Sequence, residues 1–125
     1  MHYIGKINLD VYKCVAEDIT TDEVIITDER VQHIKDRHPN DFETYFNFMN
    51  KIVVEPDYII EANKPKSALI LKSFDDGSKT FKTVLRLVTP SDEPEIKNSI
   101  ITFMKINEKE WNRLIKNKKV LYKRE

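Results

Sequence analysis

The second half of the chain is a series of segments in which apolar and polar residues alternate, and no other feature constrains the fold as strongly. Alternation with a period of two is typical of β-strands that bury one face. The dipeptide Asp76-Gly77 is typical of a tight turn, so the second and third segments should form a hairpin. The predicted strands are residues 57–61, 67–74, 79–89 and 98–106.

A helical period marks three other segments. Residues 28–38 form the first, and Pro39 limits its extension. Residues 41–53 carry apolar side chains at steps of three and four, which is typical of an amphipathic helix. Asn107 can cap a last helix over residues 108–116.

Shorter segments complete the prediction of the fold. Residues 3–7 predict a short strand, and residues 9–16 a short helix or turn. Residues 23–27 predict a strand or an extended lead-in, and residues 120–122 can add a terminal edge strand. Helices followed by a run of antiparallel strands indicate an α+β fold. We therefore expect N-terminal helices packed on a four-stranded antiparallel sheet, with a C-terminal helix.

The composition limits the class of protein. At 125 residues the chain fits a single domain, residues 1–125, that can bury one core. No apolar run is long enough for a membrane span or a secretory signal, and the single cysteine, Cys14, is typical of a reducing compartment. A cytoplasmic location is therefore expected. Lys and Arg number 21 and balance 21 Asp and Glu, which excludes a global basic field but leaves room for a local cationic cleft.

The helix predicted over residues 28–38 carries the densest cluster of basic and imidazole groups. Arg30, His33 and Arg37 share one helical face, while two apolar residues and His38 share the adjacent face. If the apolar stripe docks on the core, the basic stripe follows an edge where a cleft can form. The alternative is a solvated face whose bases pair with acidic residues of the same helix. The two histidines are five residues apart and lack further ligands, so no metal site is predicted.

Three polar residues fall within apolar stretches of the predicted strands: Lys72, Arg86 and Thr102. A buried charge is costly unless it is paired or reaches water, so such residues are rarely idle. One interpretation is that all three converge on one sheet face and meet the basic edge of the helix. In the structural alternative, Lys72 reaches water from the end of its strand. Arg86 then pairs with Glu61 or Asp57.

A cationic pocket with one imidazole fits metal-free cleavage of RNA. That reaction needs a base for the 2′-hydroxyl, an acid for the leaving 5′-oxygen and cations for the phosphorane. His33 can serve as either, because imidazole exchanges protons near neutral pH. Arg86 and Lys72 would hold the phosphate. The second proton-transfer group stays open between His38, Lys72 and Tyr45.

The order of the motifs also resembles a known family. ITDERVQHIKDRHP, an aromatic helix, SALILK, TVLRL and NSIITF resemble the phage-associated members of the barnase, EndoU, colicin and RelE-like (BECR) nuclease superfamily. The resemblance is sharpest in the helix pattern E-R-x-x-H-I-x-x-R-H, and it implies a nuclease-like core over residues 23–125. Residues and resemblance together predict catalytic roles for His33, His38, Lys72, Arg86 and Thr102, and substrate binding by Arg30, Arg37 and Ser99.

The sequence therefore predicts a metal-independent, toxin-like endoribonuclease of a phage or mobile element. It would cut tRNA or mRNA by 2′-hydroxyl attack to a 2′,3′-cyclic phosphate, without a cofactor. A toxic enzyme would require an immunity or antitoxin protein as a partner, and no membrane is expected to be involved. The first alternative is a non-catalytic module of the same fold that binds nucleic acid or another anion. The second is a structural or interaction module whose cations are paired surface groups.

Overall fold

A mixed sheet of seven strands forms the centre of the molecule. The structure is a computed structural model that describes residues 1–125, apart from the side chain of Asp76. In chain order the strands are β1 (His2–Lys6), β2 (Glu23–Ile26), β3 (Tyr58–Glu61), β4 (Ser67–Phe74), β5 (Lys79–Arg86), β6 (Asn98–Ile106) and β7 (Val120–Lys123). Their order across the sheet is β1-β2-β6-β5-β4-β3-β7.

The α+β class is confirmed, but the predicted sheet of four strands is wrong. Strands β3 to β6 are antiparallel neighbours and form the middle of the sheet, as the alternating segments predict. β2 adds to β6 in parallel, β1 pairs antiparallel with β2, and β7 pairs antiparallel with β3. These three added strands are short, so the pattern of apolar residues in each one does not predict which strand it pairs with. Their pairing covers backbone groups that a four-stranded sheet would leave open at both edges.

The helices are α1 (Leu9–Tyr12), α2 (Asp28–Arg37), α3 (Asp41–Tyr45), α4 (Met49–Val54) and α5 (Glu108–Asn117). The side chain of Thr27 accepts a hydrogen bond from the backbone N–H of Arg30, and that of Asn107 accepts one from Glu110. These two caps fix where α2 and α5 begin. No helix in the described part of the chain is long and apolar enough to cross a membrane.

The single helix predicted over residues 41–53 is interrupted in the structure. A 3-10 turn, Phe46–Phe48, separates α3 from α4. Its tighter winding directs Phe48 toward the rings of Phe74 and Phe81, at centroid distances of 4.7 and 5.4 Å. Packing between aromatic side chains therefore overrides the regular helical period of this segment.

The two faces of the sheet bury separate apolar clusters. On one face, which we call the helical face, α1, α2 and α4 pack against strand residues such as Phe81 and Leu85. On the other, the α5 face, Leu114 of α5 packs with Leu69 and Leu71. Only one helix packs on the α5 face, so space remains beyond its C-terminal end.

Candidate functional site

A cleft of about 420 Å³ opens on the α5 face where α5 ends. Four cationic side chains line it, and they come from α2, the β3–β4 loop, β5 and the residue after α5. No carboxylate among the described side chains is part of the lining. We call this site the cationic cleft. Its lining residues are Arg30, Ala62, Asn63, Lys64, Ser67, Leu69, Val84, Arg86, Ile101 and Lys118.

The register between β5 and β6 decides which strand residues reach the cationic cleft. Residues directly opposite each other in antiparallel strands project from the same face of a sheet. Arg86 is opposite Ser99, and Val84 is opposite Thr102. Ser99 and Thr102 therefore project from the same face as Arg86 and Val84, although neither is part of the cleft lining.

The guanidinium group of Arg86 is held by the segment that follows β5. It donates to a carboxylate oxygen of Asp92 at 2.8 Å and to the carbonyl oxygen of Leu87. Asp92 also accepts from the backbone N–H of Thr89 at 2.8 Å and lies 3.5 Å from Lys66 Nζ. The Thr89 N–H, together with the two cations, holds the pKa of the Asp92 carboxyl below its usual range. The position of Arg86 is therefore fixed from the side of the β5–β6 loop.

The basic stripe of α2 begins at the cationic cleft. Arg30 lines the cleft, and His33 and Arg37 follow it at spacings of three and seven residues. Residues three apart on a helix have Cβ atoms about 5–6 Å apart, so His33 is the next residue along this edge. His33 and Arg37 are exposed, and His38 is half-buried at the end of α2.

Two of the three acidic residues of α2 have other partners, and the third, Glu29, is exposed and forms no ion pair among the described side chains. Asp28 lies 2.8 Å from the N-terminal amine and 3.2 Å from His2 Nε2. Asp36 accepts a hydrogen bond from Gln32 at 3.0 Å. Among the described side chains, His33 and Arg37 have no carboxylate partner. The stripe is therefore a solvated face that is not neutralised by its own helix.

Lys72 lies on the helical face, on the far side of the sheet from the cationic cleft. It is opposite Phe81 of β5, which is buried under the helices. Its side chain is 5% exposed and its Nζ lies 3.2 Å from the Asp57 carboxylate, which Arg124 approaches at the same distance. The expectation that Lys72 converges with Arg86 is therefore wrong. Alternation along one strand cannot show which face its neighbour presents, because that depends on the register.

Two of the three candidates for a second proton-transfer group lie on the far side of the sheet from the cationic cleft. The ring of Tyr45 packs on Phe81 at a centroid distance of 5.2 Å, on the helical face with Lys72. His38 is the residue that follows α2, eight positions beyond Arg30, which lines the cationic cleft. Of the three candidates, His38 is the one next to an element that borders the cleft.

Four polar residues of the cationic cleft were not predicted from the sequence, and one of them is Ser67, the first residue of β4. Asn63 and Lys64 lie in the β3–β4 loop, and Lys118 follows α5. Lys118 Nζ donates to Asn63 Oδ1 at 3.0 Å, which joins the two segments. The only signal in the sequence is the basic character of ANKPKS and KNKK. That signal is weak because basic segments of this kind are usually solvated.

The partner of Arg86 was also not predicted. Its partner is Asp92 of the β5–β6 loop, and the interpretation in which it pairs with Glu61 or Asp57 is wrong. The sequence shows that this loop is acidic, but not that it folds back over the end of β5. Within the described residues, no group of three His, Cys, Asp or Glu side chains is arranged to hold a metal ion.

Comparison with known proteins gives one match. A family model described as phage-Barnase-EndoU-ColicinE5/D-RelE like nuclease2 matches residues 2–123. The match includes β1 and α1, so it begins well before Glu23, where the resemblance in the sequence begins. Neither the curated proteins nor the solved structures include a match to this chain.

Proposed function

Since this chain belongs to the phage-Barnase-EndoU-ColicinE5/D-RelE like nuclease 2 family, we propose that it is a metal-independent endoribonuclease. It would cut RNA through the RNA's own 2′-hydroxyl and leave a 2′,3′-cyclic phosphate. One observation carries the proposal: Arg30 and Arg86, which are distant in sequence, line one cleft with two lysines, and the carboxylate that pairs with Arg86, Asp92, is not part of the lining. Such a cleft is suited to a phosphodiester whose negative charge increases during reaction.

The proposed reaction requires cations at the phosphate. The 2′-oxygen loses its proton and bonds to phosphorus, and the bond from phosphorus to the 5′-oxygen breaks as that oxygen gains a proton. The phosphorane between these steps carries additional negative charge. Arg30 would bind it through paired N–H groups, and Arg86 through the guanidinium N–H groups that are not bonded to Asp92 and Leu87. Lys64 and Lys118 would add point charges.

We assign the proton transfers to α2. His33 lies one turn beyond Arg30, so its imidazole is next to a phosphate that Arg30 binds. It would take the proton of the 2′-hydroxyl or supply one to the 5′-oxygen, and His38 is the candidate for the opposite transfer. Ser99 and Thr102 are opposite Arg86 and Val84 on the same face of the sheet, and they would donate hydrogen bonds to the phosphate oxygens. Arg37, one turn further on, would bind the RNA backbone outside the cleft.

A non-catalytic module that binds nucleic acid is the second candidate. It is favoured by the observation that none of the described imidazoles lines the cationic cleft itself. In such a module the cleft would bind the phosphate backbone without a base or an acid positioned at the scissile bond. The two functions predict different effects of a histidine substitution.

The test is incubation of the protein with tRNA and a labelled single-stranded RNA in EDTA. The ribonuclease should produce fragments, and His33→Ala should abolish cleavage while RNA affinity stays within about twofold. Arg86→Gln should lower both cleavage and affinity. Arg113→Gln is the matched control, because Arg113 pairs with Glu110 and is absent from the cleft lining. RNA that binds to the wild-type protein but stays intact would support the module instead.

A further inference from the structure

One part of the cationic cleft is apolar, and cations do not explain it. Leu69, Val84 and Ile101 contribute aliphatic side chains to the lining. Val84 and Ile101 are half-buried, and Val84 packs at the margin of the α5-face cluster, to which Leu69 belongs. A groove that bound only phosphates would gain nothing from apolar surface exposed to water. The cleft therefore has a second type of surface beside its charged one.

A β-bulge contributes directly to this apolar surface. Val84 is opposite Thr102, but the next residue of β5, Leu85, is opposite Ile100. Ile101 is thus the extra residue in β6, without a partner on β5. A bulge changes the direction of a side chain and bends the strand, and here it accompanies a residue that lines the cleft. The irregularity in the sheet is located at the site.

The spacing of charged and apolar groups matches a nucleotide. Val84 and Arg86 are two residues apart on β5 and project from the same face, at a separation of roughly 7 Å along the strand. A nucleotide has the same arrangement, since its charged phosphate and its flat base, whose faces are apolar, lie at opposite ends of the ribose.

We propose that the cationic cleft binds one unpaired nucleotide, with the phosphate at Arg86 and the base on the surface formed by Leu69, Val84 and Ile101. This inference rests on the proposed function and adds the substrate class. A base that is stacked and paired within a duplex cannot enter a cleft of this kind. The protein therefore acts on single-stranded segments, loops or bulges and not on continuous duplex.

The test compares ligands that differ only in the base. Binding of the four nucleoside 5′-monophosphates and of ribose 5-phosphate is measured by NMR titration of the full chain. At least one nucleotide should bind about tenfold more tightly than ribose 5-phosphate, the effect of burying on the order of 60 Å² of apolar surface. The shifted amide signals should include those of Val84 and Ile101.

Two variants distinguish binding of the base from binding of the phosphate. Ile101→Ser, and the nearly isosteric Val84→Thr, should remove most of the tenfold advantage and leave the affinity for ribose 5-phosphate unchanged. Ile96→Ser is the control, because Ile96 is 45% exposed and is not part of this cleft. In each variant, the NMR signals of residues outside the cleft should match those of the wild-type protein, which shows that the variant is folded.

The possible failures are distinguishable. Equal affinity for all five ligands, lost in Arg86→Gln, would overturn the base-binding surface and leave the phosphate site of the proposed function intact. Shifts that map outside the cleft, or no shifts with any ligand, would contradict the cationic cleft itself. Efficient cleavage of a continuous RNA duplex would also overturn the inference, while it would support a ribonuclease.

Discussion

At the scale of single residues, the position of Arg86 depends on one carboxylate. Asp92 is bonded to Arg86 and Thr89 and lies near Lys66, and its side chain is 18% exposed. These contacts stabilise the ionised carboxylate and lower its pKa. A carboxyl group whose pKa is lower in the folded state contributes stability above its unfolded pKa, and this contribution is lost as the pH falls through the folded value.

We therefore expect Asp92→Asn to lower the melting temperature at pH 7. The difference from the wild-type protein should shrink as the pH falls below 4, because the wild-type carboxyl then becomes protonated. Thermal unfolding followed by circular dichroism at pH 7 and pH 3 measures both effects. Glu93→Gln is the control, because Glu93 is exposed and forms no ion pair with a described side chain. A difference that grows on acidification would contradict this role of Asp92.

A second residue shows the cost of an unpaired hydroxyl. Thr83 is 1% exposed, and its Oγ1 is buried without a hydrogen-bond partner among the described residues. Thr80, on the same strand, donates its hydroxyl to the carbonyl oxygen of Ile106 at 2.5 Å. Valine has the shape of threonine without the hydroxyl, so substitution affects the two sites differently.

Thr83→Val should raise the free energy of unfolding by about 1 kcal/mol, and Thr80→Val should lower it by about 1 kcal/mol. Urea denaturation at neutral pH measures both values. The two substitutions remove the same atoms from β5, so each is the control for the other. Destabilisation by Thr83→Val would mean that its hydroxyl has a partner in solution.

At the scale of elements, α2 depends on its first hydrogen bond. Thr27 Oγ1 accepts from the backbone N–H of Arg30 at 3.2 Å, so the cap is next to the residue that lines the cleft. Thr27→Ala should lower the free energy of unfolding by about 1 kcal/mol, and Thr27→Ser should retain most of that stability. Chemical denaturation measures the free energy of unfolding of both variants. Equal losses in the two variants would show that the threonine methyl group, and not the cap, matters.

Elements with a strong, uninterrupted pattern were predicted well. Residues 67–74 and 98–106 have the predicted boundaries as β4 and β6, and the last helix differs by one residue at its end. The segment at 41–53 was not predicted well, because contacts among aromatic rings interrupt its helix. The partners of the short strands were not predicted either, since they depend on contacts between distant parts of the chain.

The candidate site could be predicted only where it follows from a local pattern. The stripe of Arg30, His33 and Arg37 follows from the helical period, and the strand position of Arg86 from alternation. Lys72 was grouped with them because the sequence does not reveal the register between strands. Lys118 lies in a segment without a period, so only the folded chain brings it to the cleft.

At the scale of the whole molecule, the chain has no net charge, with 21 basic and 21 acidic residues. In the proposed ribonuclease, attraction of RNA would therefore come from the local arrangement of cations. Four cationic side chains line the cationic cleft. Each phosphate contact with single-stranded nucleic acid contributes about 0.7 to the slope of log affinity against log salt.

We expect that slope to be no steeper than about −3.5 for single-stranded RNA, because Arg37 adds one backbone contact to those of the four cleft cations, and Arg86→Gln to reduce it by about 0.7. The RNA affinity is measured by fluorescence anisotropy at salt concentrations between roughly 50 and 300 mM, and the slope is taken from these affinities. Arg113→Gln should leave the slope unchanged. An affinity that does not change with salt would exclude phosphate contacts.

The most direct test of the ribonuclease proposal is the chemistry of the new RNA ends. Wild-type protein is incubated with a defined single-stranded RNA in EDTA, and the fragments are analysed by mass spectrometry. Attack by the 2′-hydroxyl predicts a 2′,3′-cyclic phosphate on the upstream fragment and a 5′-hydroxyl on the downstream one. A 3′-hydroxyl with a 5′-phosphate, or cleavage only after a divalent metal is added, would contradict the proposed mechanism.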